Sequence, residues 1–100
     1  MSLQKPKTYR SEKYLKFVRS LPCCVSGSSL DVQTHHLFKS GTALKGDDLS
    51  CIPIRADLHA ELHQIGWSTF QERHRINLIE ENRNVLMKYV KTIEQDGEYL

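Results

Sequence analysis

Apolar positions along the chain fall into short runs with distinct periods. Tyr14, Leu15, Phe17 and Val18 sit at helical spacing behind Ser11, a good helix N-cap, and Pro22 marks the stop. The spacing predicts a helix over about residues 9–20. A tight turn, Cys-Cys-Val-Ser-Gly, follows. Leu30 to His35 then alternates apolar and polar, which predicts a short strand ending at the pair His35-His36. Residues 39–47, KSGTALKGD, read as loop, with Gly41 and Gly46 permitting unusual backbone angles. Leu49-Ser-Cys-Ile-Pro-Ile reads as a second strand, and Pro53 argues that it is an edge strand or ends early.

Beyond the second strand the period becomes helical. Asp57 is the expected N-cap of a helix carrying Leu58, Leu62 and Ile65, with Gly66 as its stop. Ser68 and Gln71 have capping-box spacing, so another short helix is expected there, with Trp67 and Phe70 packing it onto its predecessor. A last helix over about residues 77–95 begins at Asn77 and repeats Ile79, Leu86, Tyr89, Val90 and Ile93. That stripe is expected to pack within the chain or against a second copy.

Composition narrows the class. One hundred residues, 39% hydrophobic and 26% charged, make a single domain, 1–100, with a small core. A chain of this size buries roughly two-thirds of its unfolded surface, so a metal or a partner would add useful stability. No apolar run approaches the roughly 18 residues that a membrane span needs. The basic start lacks the apolar centre of a signal peptide, so a cytoplasmic location is expected. Three cysteines, two of them adjacent, make a poor disulfide framework and fit a reducing compartment. The net charge of +2 is unevenly spread: residues 1–20 carry Lys5, Lys7, Arg10, Lys13, Lys16 and Arg19 against Glu12 alone. Such a segment is either a phosphate-contacting surface or a solvated helix face.

The histidines carry the chemistry. Four of the five fall within the 29 residues from His35 to His63. His59 and His63, at i and i+4 on a helix, project from one face about a turn apart, a spacing that lets two ring nitrogens meet one metal ion. Neighbours on a strand point to opposite sides, so one of His35 and His36 can join that ion while the other faces elsewhere. Three imidazoles on a divalent ion leave an open position, as catalytic sites do. The fourth, free of metal, can serve as a base.

In this order of His35-His36, Asp48-Leu49, and then His59 and His63, the chain resembles the HNH endonuclease superfamily, the ββα-metal or His-Me finger nucleases. The wider segment LPCCVSG…THHLFKSG…KGDDLSCIPIR…LHAELHQIGWSTFQERHRINL is similar to the small HNH nucleases of phages and prophages, over roughly residues 21–78. The resemblance implies an α+β fold: a ββα-metal core of a two-stranded hairpin and a metal-binding helix, flanked by N- and C-terminal helices. It implies His35, His59 and His63 as metal ligands and His36 as the general base that deprotonates the attacking water. Asp48 stands where the family places an Asn that orients the base; Asp47 is the adjacent alternative. Many relatives hold a structural zinc on CxxC pairs, but here Ser26 stands at the second position of the first pair, and Ile54 and Asp57 stand near those of the second. No structural zinc is therefore expected.

The reading that follows is a metal-dependent DNA endonuclease with one divalent ion (zinc, magnesium, manganese or nickel). Lys39, Lys45 and Arg55 flank the site as candidate phosphate contacts or as surface charges. Cys23, Cys24 and Cys51 are expected as small buried residues, and His74 as a core-edge histidine. The alternative is a non-catalytic, metal-stabilised nucleic-acid-binding module, which has no use for His36.

Overall fold

Two short strands and three helices are built as the periods dictate. The computed structural model describes residues 8–38 and 47–95. Helix α1 is Glu12–Arg19, strand β1 is Val32–His36, strand β2 is Cys51–Arg55, helix α2 is Ala56–His74 and helix α3 is Leu78–Gln95. The strands pair antiparallel as a two-stranded sheet, with Val32 opposite Arg55, Gln33 opposite Ile54, His35 opposite Ile52 and His36 opposite Cys51. The architecture is α+β, a hairpin flanked by helices, compatible with a ββα core between N- and C-terminal helices. No helix among the described residues is long and apolar enough to cross a membrane.

Strand β2 is buried on both faces, so Cys-Ile-Pro-Ile is a continuous apolar run rather than an alternating one. Ile52 and Ile54 pack with Leu58, Leu62 and Phe70 of α2, Leu78 of α3, and Cys23 and Leu37. Cys51 faces the other way, into a second cluster of Tyr14 and Val18 from α1 and Val85 from α3. There the Tyr14 ring meets Tyr89 edge-on at 4.9 Å. Burial of the two clusters on opposite sides of one strand fixes its register, because a slip of one residue would turn each set to the wrong side.

Ser11 caps α1 as its position suggests, accepting the Tyr14 N–H. Asn77 likewise accepts the Glu80 N–H at the start of α3. Three local expectations are corrected. The second strand begins at Cys51, because Asp48–Ser50 forms a 3-10 turn. Helix α2 starts at Ala56 with Arg55 as its cap residue, and Asp57 lies in its first turn, where its carboxylate takes a two-pronged ion pair from the Arg55 guanidinium. The second short helix expected beyond Gly66 is present, since Gly66 (φ 81°, ψ 170°) divides α2 into two helical pieces, but Gln71 does not close a capping box: its side chain instead accepts the Leu78 N–H of the next helix. Gly66 does interrupt the helix as expected, in backbone space that is essentially glycine's alone.

On α3 the buried positions are Leu78 and Val85, with Leu86 and Tyr89 packed beside them. Ile79 and Val90, expected within an apolar stripe, are about half exposed.

Candidate metal centre

Adjacent histidines are divided between two faces of the hairpin. His35 lies opposite Ile52, on the face covered by α2, and His36 lies opposite Cys51, on the face towards α1. His59 and His63 project from the first turns of α2 towards His35. His35 Nδ1 is 3.0 Å from His59 Nε2, and His63 Nε2 is 3.1 Å from that same atom. One ligand atom from each of the three rings lies within 4.8 Å of the others. Two nitrogens bound to one tetrahedral zinc, each about 2.05 Å from it, would be about 3.3 Å apart, so these separations suit a shared ion.

Protonation suits it as well. Burial, and then the neighbouring His63, push the His59 imidazole below its usual 6.5, so it stays neutral near pH 7 with a lone pair to give. His59 Nδ1 is 2.8 Å from Gln33 Oε1. The three histidines can thus hold a metal ion; which ion is not specified by three imidazoles.

His36 has a different partner. Its Nε2 lies 2.9 Å from Asp48 Oδ1, and its Nδ1 makes no hydrogen bond among the described residues. Asp48 is 2% exposed. Ser11 N–H donates to its other oxygen at 2.6 Å, and Arg10 Nη1 donates to Oδ1 at 3.3 Å. Burial pushes the Asp48 carboxyl up, but the His36, Ser11 and Arg10 hydrogen bonds outweigh it and hold the group below the ordinary carboxylate range. Asp47 does not reach His36; its carboxylate accepts the Tyr9 N–H. The choice between the two aspartates falls to Asp48.

Both arrangements open onto one cleft of about 130 Å³, lined by His35, His36, His63 and Trp67 together with Leu37, Leu62 and Gly66. Trp67 does pack partly against the core, near Phe38, but it also walls this cleft. Trp67 follows the break at Gly66, so helical spacing from His63 did not point to it. Gln33, two before His35, shares that strand face and was legible from the strand's alternation. Arg10 and Ser11 reach Asp48 across 38 and 37 residues, for which no local pattern prepares.

The other candidates are placed as follows. Arg55 is held by Asp57 and is absent from the cleft lining. Lys39 and Lys45, with Gly41 and Gly46, lie outside the described residues. Cys23 and Cys51 are buried and Cys24 is half-buried. Burial drives the Cys24 and Cys51 thiols up to about 12, which removes them as nucleophiles near neutral pH. Cys23 Sγ accepts the backbone N–H groups of Ser26 and Arg55, tying the turn to the end of β2. His74 binds Glu61 Oε1 at 2.9 Å and its ring lies on Phe70, a structural place away from the cleft.

Comparison with known proteins gives a family. A family model described as "Protein of unknown function (DUF968)" matches residues 1–89. The chain is similar to "Uncharacterized protein YdfU" of Escherichia coli (strain K12), 35% identical over 66 residues, which cover 63% of this chain and 19% of that protein. It therefore spans about a fifth of that relative's length. No solved structure matches. With the family model covering the hairpin, all four clustered histidines, Asp48 and most of α3, the chain belongs to the DUF968 family.

Proposed function

We propose that this chain is a metal-dependent endonuclease of the HNH type that hydrolyses phosphodiester bonds of DNA. One observation carries the reading: two histidines joined by a single peptide bond are split between a three-imidazole cluster and an imidazole backed by a buried carboxylate, and both line the same cleft.

His35, His59 and His63 would hold one divalent ion. When bound, that ion supplies Lewis-acid neutralisation of the phosphate and of the departing 3′ oxygen. The remaining work belongs to the chain. Asp48 accepts a hydrogen from His36 Nε2, which leaves the Nδ1 lone pair to take a proton from the attacking water. The Ser11 N–H and Arg10 hold Asp48 in place, so the start of α1 contributes to the site although no residue of α1 lines the cleft. Base assistance of this kind is worth about 10²–10⁴-fold. Arg10, with 64% of its side chain exposed beside the base, joins the basic N-terminal segment as a contact for the phosphate backbone.

The test is plasmid nicking with divalent metals added singly, comparing wild type and His36→Ala, both checked for folding by circular dichroism. Metal-dependent nicking that disappears in a folded His36→Ala protein supports the nuclease and its base together. Equal nicking by both proteins refutes the assignment of His36. DNA binding without nicking by either protein would favour the non-catalytic, metal-stabilised module.

A further inference from the structure

His59 is the hub of the histidine cluster. Its Nε2 is the atom within 3.0 Å of His35 Nδ1 and 3.1 Å of His63 Nε2. A neutral imidazole carries one hydrogen, on either nitrogen, and only the other nitrogen can bind a metal. The ring therefore joins the centre only in the tautomer protonated at Nδ1. Gln33 Oε1, 2.8 Å from Nδ1, is an acceptor and so selects that tautomer.

We propose that Gln33 is the positioning residue of this centre: its amide oxygen holds His59 with hydrogen on Nδ1 and Nε2 turned to the ion. The proposal rests on the metal-centre reading and adds to it the residue that sets the geometry of the shared ligand. Gln33 and His35 lie two apart on β1, so they share a face, and Gln33 is pinned opposite Ile54, a fully buried residue. One strand thus carries both a ligand and the group that orients a second ligand on α2. An amide does this without adding charge. A carboxylate at the same position would also select the tautomer, and would make the ring a stronger donor.

The variants are Gln33→Met, similar in length but without a hydrogen-bonding oxygen, and Gln33→Glu, which keeps an acceptor. Gln33 is exposed, so both should fold, and thermal unfolding checks that. Two readouts are taken. Long-range ¹H–¹⁵N spectra of the metal-free protein report which His59 nitrogen carries hydrogen, with His59→Ala identifying the signal. Calorimetric titration with Zn²⁺ alone reports affinity.

The expected result is Nδ1–H at His59 in wild type and Gln33→Glu, and loss of that preference in Gln33→Met with zinc binding weaker by about 10–100-fold. Nε2–H at His59 in the wild type would overturn the proposal, as would zinc affinity unchanged in Gln33→Met. If the wild type has the expected tautomer but binds no zinc, the metal centre itself is wrong and the proposal falls with it. The correct tautomer with unchanged affinity in Gln33→Met overturns the positioning role alone.

Discussion

Replacing Asp48 by Asn changes almost no volume and removes one charge, which isolates what that charge does. The carboxylate is buried and takes three donors: Ser11 N–H at 2.6 Å, His36 Nε2 at 2.9 Å and Arg10 Nη1 at 3.3 Å. A hydrogen bond to a charged group nets about 1.5–3 kcal/mol and a neutral one about 1 kcal/mol, so the two shorter bonds together weaken by about 1–4 kcal/mol. The amide also turns an NH₂ towards one of the existing donors, and a buried donor left without an acceptor costs about 1–3 kcal/mol. The Arg10 pair adds little, because its side chain is 64% exposed. Asp48→Asn should therefore lower stability by at least about 2 kcal/mol at pH 7, as disruption of a buried polar network does.

The sign with pH follows from linkage. In the folded protein Asp48 titrates below its ordinary value of 3.8. Its stabilisation is present above that value and is lost as pH falls through the depressed folded value. The Asn variant has no such charge to lose. Urea unfolding followed by circular dichroism at pH 7, pH 5 and about pH 3 should show a gap that narrows between pH 5 and about pH 3. Asp47→Asn is the control, since among the described residues the Asp47 carboxylate accepts only the exposed Tyr9 N–H, and its loss should cost under about 1 kcal/mol. A gap of equal size at all three pH values would refute the reasoning, and equal costs at the two aspartates would refute the assignment of Asp48.

Three other substitutions or titrations read separate parts of the molecule. Trp67 is the chain's one tryptophan and lines the cleft with His63, so Co²⁺ should quench its fluorescence. The midpoint should move by more than about tenfold in His63→Ala, and an unmoved midpoint would place the ion elsewhere. At Gly66 an added Cβ meets nothing within 4 Å, so Gly66→Ala tests backbone strain alone. It should cost about 1–3 kcal/mol in denaturant unfolding, and a cost below about 0.5 kcal/mol would show that the bend relaxes freely. The Tyr14 hydroxyl is buried and has no hydrogen-bond partner among the described residues, so Tyr14→Phe should raise the thermal midpoint, by a gain of about 1 kcal/mol. A lower midpoint would reveal a partner that the hydroxyl uses.

Much of the site was legible because it depends on two periods. A strand turns its side chains by halves, so His35 and His36 had to part; a helix returns after four residues, so His59 and His63 had to meet. The helix starts at Ser11 and Asn77 were legible for the same local reason. The misread caps are side chains engaged elsewhere: Asp57 by the guanidinium of Arg55, two residues away, and Gln71 by the first turn of the next helix, seven residues on. Capping rules weigh the backbone of the helix end and leave out such competing side-chain and backbone partners. The hold of Arg10 and Ser11 on Asp48 needed the third dimension outright.

The division of the two histidines is also what makes the site dependent on the core. His35 and His36 point correctly only while β1 keeps its register against β2, and β2 is fixed by Ile52 and Ile54 on one side and Cys51 on the other. A slip of one residue turns one strand over relative to the other: if β2 holds its place, His36 turns towards α2 and His35 to the opposite face, and if β1 holds its place, Ile52 and Ile54 leave one cluster and Cys51 the other. Each of the two isoleucines is fully buried, and burying a side chain of that size contributes about 1.5–3 kcal/mol. The register that separates the two rings is thus enforced by apolar residues, Ile52 and Cys51 being the cross-strand neighbours of His35 and His36, and the layout of the cleft is inherited from them.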